Sequence, residues 1–414
     1  MTTQSVSDPA FEKRTLIFVC LVVFLDMIGI GLIIPVLPEL IKDLTDLDTV
    51  DATPVGGWLL ATYAICLFFA APILGGLSDR FGRRPVLLVA MFGFALDYFA
   101  MAFAPTIEIL FFARAISGMC GGTFTAANAA IADVATEESR ARNFGLIGGA
   151  AGAGLVLGPA FGGILGDFGV RWPFLAAGII TLCSAIFGYF AFKETLKPEL
   201  RRRFSWRRAN PLGNFYQIRT YPVVLWLLAA TFFYYFSQQT LNAVWTYYTI
   251  ERFDWSELQN GLSVALYGAS LGAVQALLTR PAANRFGEVP VAVFSLAMGG
   301  IVYLGMGLST AGWMLYVWIL IGATHGFAFP LMQTMMTRII PSDAQGELQG
   351  AVSAVVSITA VLSPITMSNL FNAYSDDVGP KIYGMPFFAA AFLCGLCLLS
   401  VVISSMQSKR MKTD

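Results

Sequence analysis

Apolar runs of about 20 residues recur along the chain, each bounded by charged or turn-forming positions. That is the length an α-helix needs to cross the hydrocarbon core of a bilayer. The runs fall at about residues 15–38, 56–77, 85–104, 107–130, 143–166 and 172–192, then 222–248, 258–279, 289–308, 312–337, 347–370 and 384–406. Backbone polar groups in lipid must be satisfied within the segment, so the runs predict helices. The expected fold is an all-α polytopic membrane protein with twelve transmembrane helices in two six-helix bundles, residues 1–192 and 222–414, joined by a basic linker at 193–221. Met1–Arg14 is polar and the first run contains Asp26. It therefore reads as an uncleaved first span and not as a signal peptide.

Composition narrows the class. Of 414 residues 57% are hydrophobic and 13% charged, with a mean hydropathy of +0.68. Soluble domains carry about 25% charged residues. This excludes a soluble enzyme, a disordered chain and a nucleic-acid binder. Lys+Arg 26 against Asp+Glu 26 leaves no net charge, so no polyanionic partner is implied. Forty glycines without collagen spacing suit membrane helices that pack backbone to backbone. Cys20, Cys66, Cys120, Cys183, Cys394 and Cys397 all lie in apolar runs and read as small hydrophobes, not as disulfide or metal positions. One histidine and no intramembrane acid cluster argue against an enzyme, and no metal or other cofactor is expected.

Orientation follows from the basic residues of alternate loops. With the N-terminus inside, inner segments hold 21 Lys and Arg, eight of them between Lys193 and Arg219, and outer segments hold four: Lys42, Arg171, Arg252 and Lys381. Both termini are therefore expected on the cytoplasmic side. The linker charges would hold orientation and touch anionic lipid headgroups; a regulatory or partner-binding role is the alternative. The halves repeat at an offset of 205. Arg80-Phe81-Gly82 returns as Arg285-Phe286-Gly287, and Gly145 as Gly350. Parallel six-plus-six repeats characterise secondary transporters with a midplane site between halves. A channel is disfavoured by this repeat and by the lack of a lining charge ring.

Charges inside spans are costly, about 2.5–3.5 kcal/mol each on insertion scales, so each is a functional candidate. Three lie deep: Asp26, Asp97 and Arg114. Asp26 is 12 residues before Pro38, about 18 Å below the outer end of the first span and near the midplane. Asp97 and Arg114 lie eight residues before and nine after Pro105, at roughly equal depths of 12–14 Å on antiparallel neighbours. They are expected to face each other, either as part of a proton pathway or only as a staple between helices. Burial disfavours the charged form of an unpaired carboxylate. Asp26 thus reads as a proton carrier, with a hydrogen-bonded kink beside Gly29 and Gly31 as the alternative.

Between the second and third spans runs Gly75-Gly76-Leu77-Ser78-Asp79-Arg80-Phe81-Gly82-Arg83-Arg84-Pro85, a tight turn with an acid added to ordinary inner basic charge. In the fifth span Gly154, Gly158 and Gly162 share one face beside Pro159 and Gly163, a bare groove for close helix packing. The first of these segments resembles the loop signature of the major facilitator superfamily. Arg114-Ala115-Ile116-Ser117-Gly118 resembles its fourth-span motif, and GLVLGPAFGG at 154–163 the fifth-span motif of the drug/proton antiporter branch. More closely, LDMIGIGLIIPVLPELI at 25–41, LSDRFGRRPVLL at 77–88, LDYFAMAFAP at 96–105 and Arg114 to Asp133 resemble the bacterial tetracycline efflux antiporters. The resemblance implies the major facilitator fold, with Asp26, Asp97 and Arg114 as essential intramembrane charges. It implies Asp79, Arg80, Arg83 and Asp133 as a cytoplasmic gating relay, and Gly154, Gly158, Pro159 and Gly162 as the packing motif.

The second half departs from that pattern. Leu271 stands where those exporters carry a His, and Gly299 where they carry an acid, while Gln275 and Gln333 match. The polar groups left are neutral. Gln239 and Asn242, about one turn apart among aromatics, are candidate substrate contacts with Gln275, Gln333 and His325. For His325 an interhelical hydrogen bond is set against a role in proton transfer. The chain is expected to be a functional monomer in the bacterial inner membrane. It would export a hydrophobic or amphipathic drug, tetracycline-like or multidrug, in exchange for protons by alternating access, with the proton gradient as sole energy source. Export of an endogenous metabolite or lipid-like molecule on the same scaffold is the alternative.

Overall fold

The computed structural model describes residues 9–121, 123–202, 204, 221–341, 344–376 and 381–413. Most of the predicted linker, residues 203 and 205–220, lies outside the described residues. The first half forms α1 (Pro9–Ile33), α2 (Leu37–Thr45), α3 (Thr49–Phe81), α4 (Arg83–Phe103), α5 (Ile107–Cys120), α6 (Thr123–Val134), α7 (Glu137–Gly166) and α8 (Trp172–Ala191). The second forms α9 (Pro222–Phe253), α10 (Glu257–Ala273), α11 (Thr279–Phe286), α12 (Glu288–Leu308), α13 (Gly312–Gly322), α14 (Ala328–Ile339), α15 (Gln345–Ser375) and α16 (Met385–Thr413). No strand occurs among the described residues.

Among the described residues, ten helices are long and apolar enough to cross a membrane. The other two predicted spans are present in other forms. The fourth is split into α5 and α6, and the seventh is α9, 32 residues long. Gln238, Gln239, Asn242 and a run of Tyr and Thr lower its hydropathy. Two further spans are locally irregular. A π-helical turn at Val274–Leu278 joins α10 to α11, and a 3-10 turn at Ala323–Phe327 joins α13 to α14. Irregular backbone at such depth persists only where neighbours satisfy its polar groups.

Two compact units emerge, one from residues 1–36 and 65–210, the other from 37–64 and 211–414. In the first, α1 packs along α7, and the reason is the glycine face. A Cβ at Gly158 would lie 2.7 Å from the Ile28 carbonyl oxygen and 2.9 Å from Gly31 Cα. One at Gly162 would lie 2.9 Å from Leu32 Cα, and one at Gly154 2.8 Å from Met27 Cβ. Close approach gains dispersion contacts, the main attraction between helices where lipid removes the hydrophobic drive. A capping box opens α7: Thr136 Oγ1 accepts from Ser139 N–H at 3.2 Å, and Ser139 Oγ accepts from Thr136 N–H at 3.0 Å. Glu12 of α1 accepts from Asn143 Nδ2 at 2.7 Å. Phe18, Val22, Leu87, Met91, Ala127, Ile131 and Phe192 form the core of this unit.

In the second unit α9 packs on α15 and α16, and α12 on α16, around Val224, Leu227, Leu296, Met332, Leu348 and Val401. Residues 37–64 group here and not with the rest of the first half, a division that differs from the sequence boundary. Small residues on α3 account for it. Gly56 packs against the Tyr247 hydroxyl, and a Cβ at Gly57 would lie 2.7 Å from the Pro364 carbonyl oxygen. Asn372 Nδ2 donates to Asp51 Oδ1 at 2.9 Å.

Candidate functional site

The three deep charges all lie in the first unit and are all buried: Asp26 on α1, Asp97 on α4 and Arg114 on α5. Arg114 Nη2 donates to Asp97 Oδ2 in a direct ion pair. The Ser117 hydroxyl, one turn after Arg114, also faces this carboxylate. Asp26 makes no ion pair among the described residues. Its neighbour is the Thr123 hydroxyl, which the split of the fourth span puts at the start of α6. The Asp26 and Asp97 helices meet at Gly29, where the Tyr98 phenol occupies the space a side chain would take. An isolated buried carboxyl thus lies one helix contact away from a buried carboxylate–guanidinium pair. Thr123 was not among the sequence candidates; the only signal for it is its place just after the glycine pair at 121–122.

A second cluster surrounds Arg83, the first residue of α4. Its Nε donates to Asp133 Oδ2 at 3.0 Å, and its Nη1 to Asp79 Oδ1 at 2.6 Å and Ser78 Oγ at 3.2 Å. Thr195 Oγ1 donates to the same Asp133 oxygen at 3.3 Å. Arg80 stands apart from this cluster, its guanidinium 5.0 Å above the Phe81 ring. A second residue missed by sequence reasoning is Glu194. Its carboxylate accepts from the N–H groups of Arg83 at 2.8 Å, Arg84 at 3.3 Å, Thr195 at 3.1 Å and Leu196 at 3.0 Å. It satisfies two free donors at the start of α4, where the preceding residue is a glycine and supplies no capping side chain. Gly82 must be glycine twice over. Its φ is +111°, and the Glu194 carboxylate fills its Cβ position.

In the second unit the predicted polar residues separate into small groups. Asn242 Nδ2 donates to Gln239 Oε1 at 2.5 Å on α9, and Gln333 Nε2 donates to Gln349 Oε1 at 3.1 Å. Gln275 lies in the π turn of the eighth span, and a Cβ at Gly326 would lie 3.2 Å from its Cγ. His325 is buried in the 3-10 turn, stacked on Tyr234 with centroids 4.7 Å apart and edge-on to Tyr303 at 6.1 Å. Its Nδ1 is 3.4 Å from the Ser295 carbonyl oxygen. Ser295 Oγ in turn lies 2.9 Å and 3.0 Å from the Thr324 and His325 carbonyl oxygens, which satisfies acceptors that the irregular turn frees. The imidazole occupies the space a side chain at Gly299 would need. Gly299 is therefore the space that admits His325.

The six cysteines are free thiols. The chain matches the Major Facilitator Superfamily over residues 19–364 and 227–410. It is 37% identical over 387 residues to the class C tetracycline resistance protein of Escherichia coli, covering 94% of this chain and 96% of that one. It is 35% identical to the class G tetracycline resistance protein of Vibrio anguillarum, covering 93% and 96%. Among solved structures, a bacterial homologue of the human lysosomal transporter Spinster superposes with a TM-score of 0.80 at 15% identity, covering 96% of this chain and 98% of that one.

Proposed function

Since the chain belongs to the major facilitator superfamily, it is a membrane transporter and not an enzyme, and we propose that it exports a hydrophobic or amphipathic drug in exchange for protons. The observation that carries this reading is Asp26, buried in the first span with no ion pair among the described residues. A carboxyl so placed can take a proton from one side and release it to the other. Asp97 and Arg114 form a neutral buried pair one helix contact away, and the guanidinium bears on proton release from Asp26 as that pairing loosens. Asp79, Arg83 and Asp133, supported by Glu194, act as the latch at the basic end, and the Gly154–Gly162 face lets α1 and α7 move as one body. The energy source is the proton gradient, with no other cofactor. The chain acts as a monomer in the bacterial inner membrane, with both termini cytoplasmic.

The similarity to tetracycline resistance proteins makes tetracyclines the first compounds to try. The second half points to a less polar substrate. Gly299 carries no acid, and its space is filled by His325. Gln239 and Asn242 offer paired amides on the aromatic-rich α9, and Gln275 and Gln333 are neutral as well, groups better suited to a planar hydrophobic compound than to a metal chelate. Everted membrane vesicles with an acid lumen test the reading. They should accumulate such compounds, and nigericin should abolish accumulation. Accumulation of tetracycline that depends strictly on magnesium would overturn the substrate reading, and accumulation indifferent to nigericin would overturn the coupling.

A further inference from the structure

A cavity of about 400 Å³ opens where the chain leaves the last span of the first unit, lined by Arg80, Arg201, Arg202 and Phe204. The chain folds it deliberately. A 3-10 turn at Pro198–Leu200 reverses direction. Arg202 N–H then donates to the Asp79 carbonyl oxygen at 3.0 Å, and the Phe204 ring lies against Gly76, 2.9 Å from where a Cβ would stand. Arg80, Arg201 and Arg202 so line one concave surface. None of them is salt-bridged to a carboxylate among the described residues. The neighbouring acid, Asp79, turns its carboxylate to Arg83 at 2.6 Å. Three cations held together without a counter-charge repel one another unless an anion joins them, and the guanidinium fork matches phosphate oxygens.

We infer that this cavity binds the phosphate of an anionic lipid headgroup. The lipid source follows from what flanks the arginines. Phe81 is 51% exposed at the end of α3, and Leu200 is 63% exposed beside Arg201, so apolar side chains stand next to the cations at the level where a spanning helix ends. A soluble phosphate would have no use for them. Bound phosphate would hold Arg202 to the end of α3, the segment that also carries Asp79, and so brace the Arg83 cluster. The site does not depend on what the transporter carries, and its test reads binding, not transport.

Thermal unfolding of the purified full chain, titrated with phosphatidylglycerol, phosphatidylcholine or inorganic phosphate, tests it. Phosphatidylglycerol should raise the unfolding temperature saturably, and phosphatidylcholine and millimolar inorganic phosphate should not. Arg201→Gln/Arg202→Gln should weaken the apparent affinity for phosphatidylglycerol about 25-fold, roughly fivefold per arginine near an anionic surface. Arg201→Lys/Arg202→Lys, which keeps the charge, should recover part of it, and Arg280→Gln in the second unit should leave it unchanged. An unaltered phosphatidylglycerol response in the double Gln variant would overturn the site. Inorganic phosphate that reproduces the full shift would overturn the lipid source.

Discussion

The Asp97–Arg114 pair allows a quantitative test. The Asp97 side chain is fully buried and that of Arg114 is 10% exposed, so removing one partner leaves the other charge in a low-dielectric interior. Such a loss costs about 3–5 kcal/mol, whereas replacing both partners by neutral groups of similar shape is often close to neutral. The two single variants are not equivalent. In Arg114→Gln the remaining carboxyl can neutralise itself by taking a proton. In Asp97→Asn the guanidinium has no such escape, because it stays charged at any accessible pH. We expect Asp97→Asn to be the most damaging, Arg114→Gln intermediate, and Asp97→Asn/Arg114→Gln nearer to the parent than either. A cost of 3–5 kcal/mol corresponds to a fall of about 6–20 °C in unfolding temperature for a unit near 200 residues. Loss of helical circular dichroism during heating will report it. Distant independent sites add within about 0.3–0.5 kcal/mol. Additive losses in the double variant would refute a direct pair.

Glu194→Gln keeps the shape of the carboxylate that caps α4 but removes its charge. It should lower stability by about 1 kcal/mol, seen in the same thermal assay, with Glu194→Ala costing more. Gly158→Ala forces a methyl onto the α1 backbone and should cost about 1–3 kcal/mol, while Gly145→Ala, which meets nothing within 4 Å, should be close to neutral. His325→Gln should leave drug transport and its pH profile essentially unchanged, since coupling is assigned to the first unit. A shifted pH optimum in that variant would move the coupling role to His325.

The helices were legible because lipid leaves a spanning backbone so few options, and apolar runs mark them. The ninth helix was legible at 222–248 in spite of its polar residues. Its Gln, Asn and Tyr residues pull hydropathy down while its helical length is kept. Matched depth about Pro105 placed Asp97 opposite Arg114 because antiparallel neighbours share one rise per residue. What the sequence withheld are contacts across long separations. The glycine face of α7 announces a close partner but not that the partner is α1. Glu194 reaches a helix start 111 residues away, and nothing local to either segment signals that meeting. The turn at Ala323–Phe327 rests on Ser295 of another helix, and the exchange of space between Gly299 and His325 appears only once both are folded. Residues 37–64 read as part of the first half, yet Gly56 and Gly57 tie them to α9 and α15.

Gradient-driven transport and passive counterflow by Asp26→Asn, measured side by side in proteoliposomes, decide whether Asp26 carries the coupled proton. Asn fills the volume of Asp26 but does not ionise at any accessible pH. Asp26→Asn should still exchange labelled for unlabelled substrate across the membrane, yet fail to concentrate it under an imposed pH gradient. Accumulation against a concentration difference by Asp26→Asn at the parent rate would contradict it.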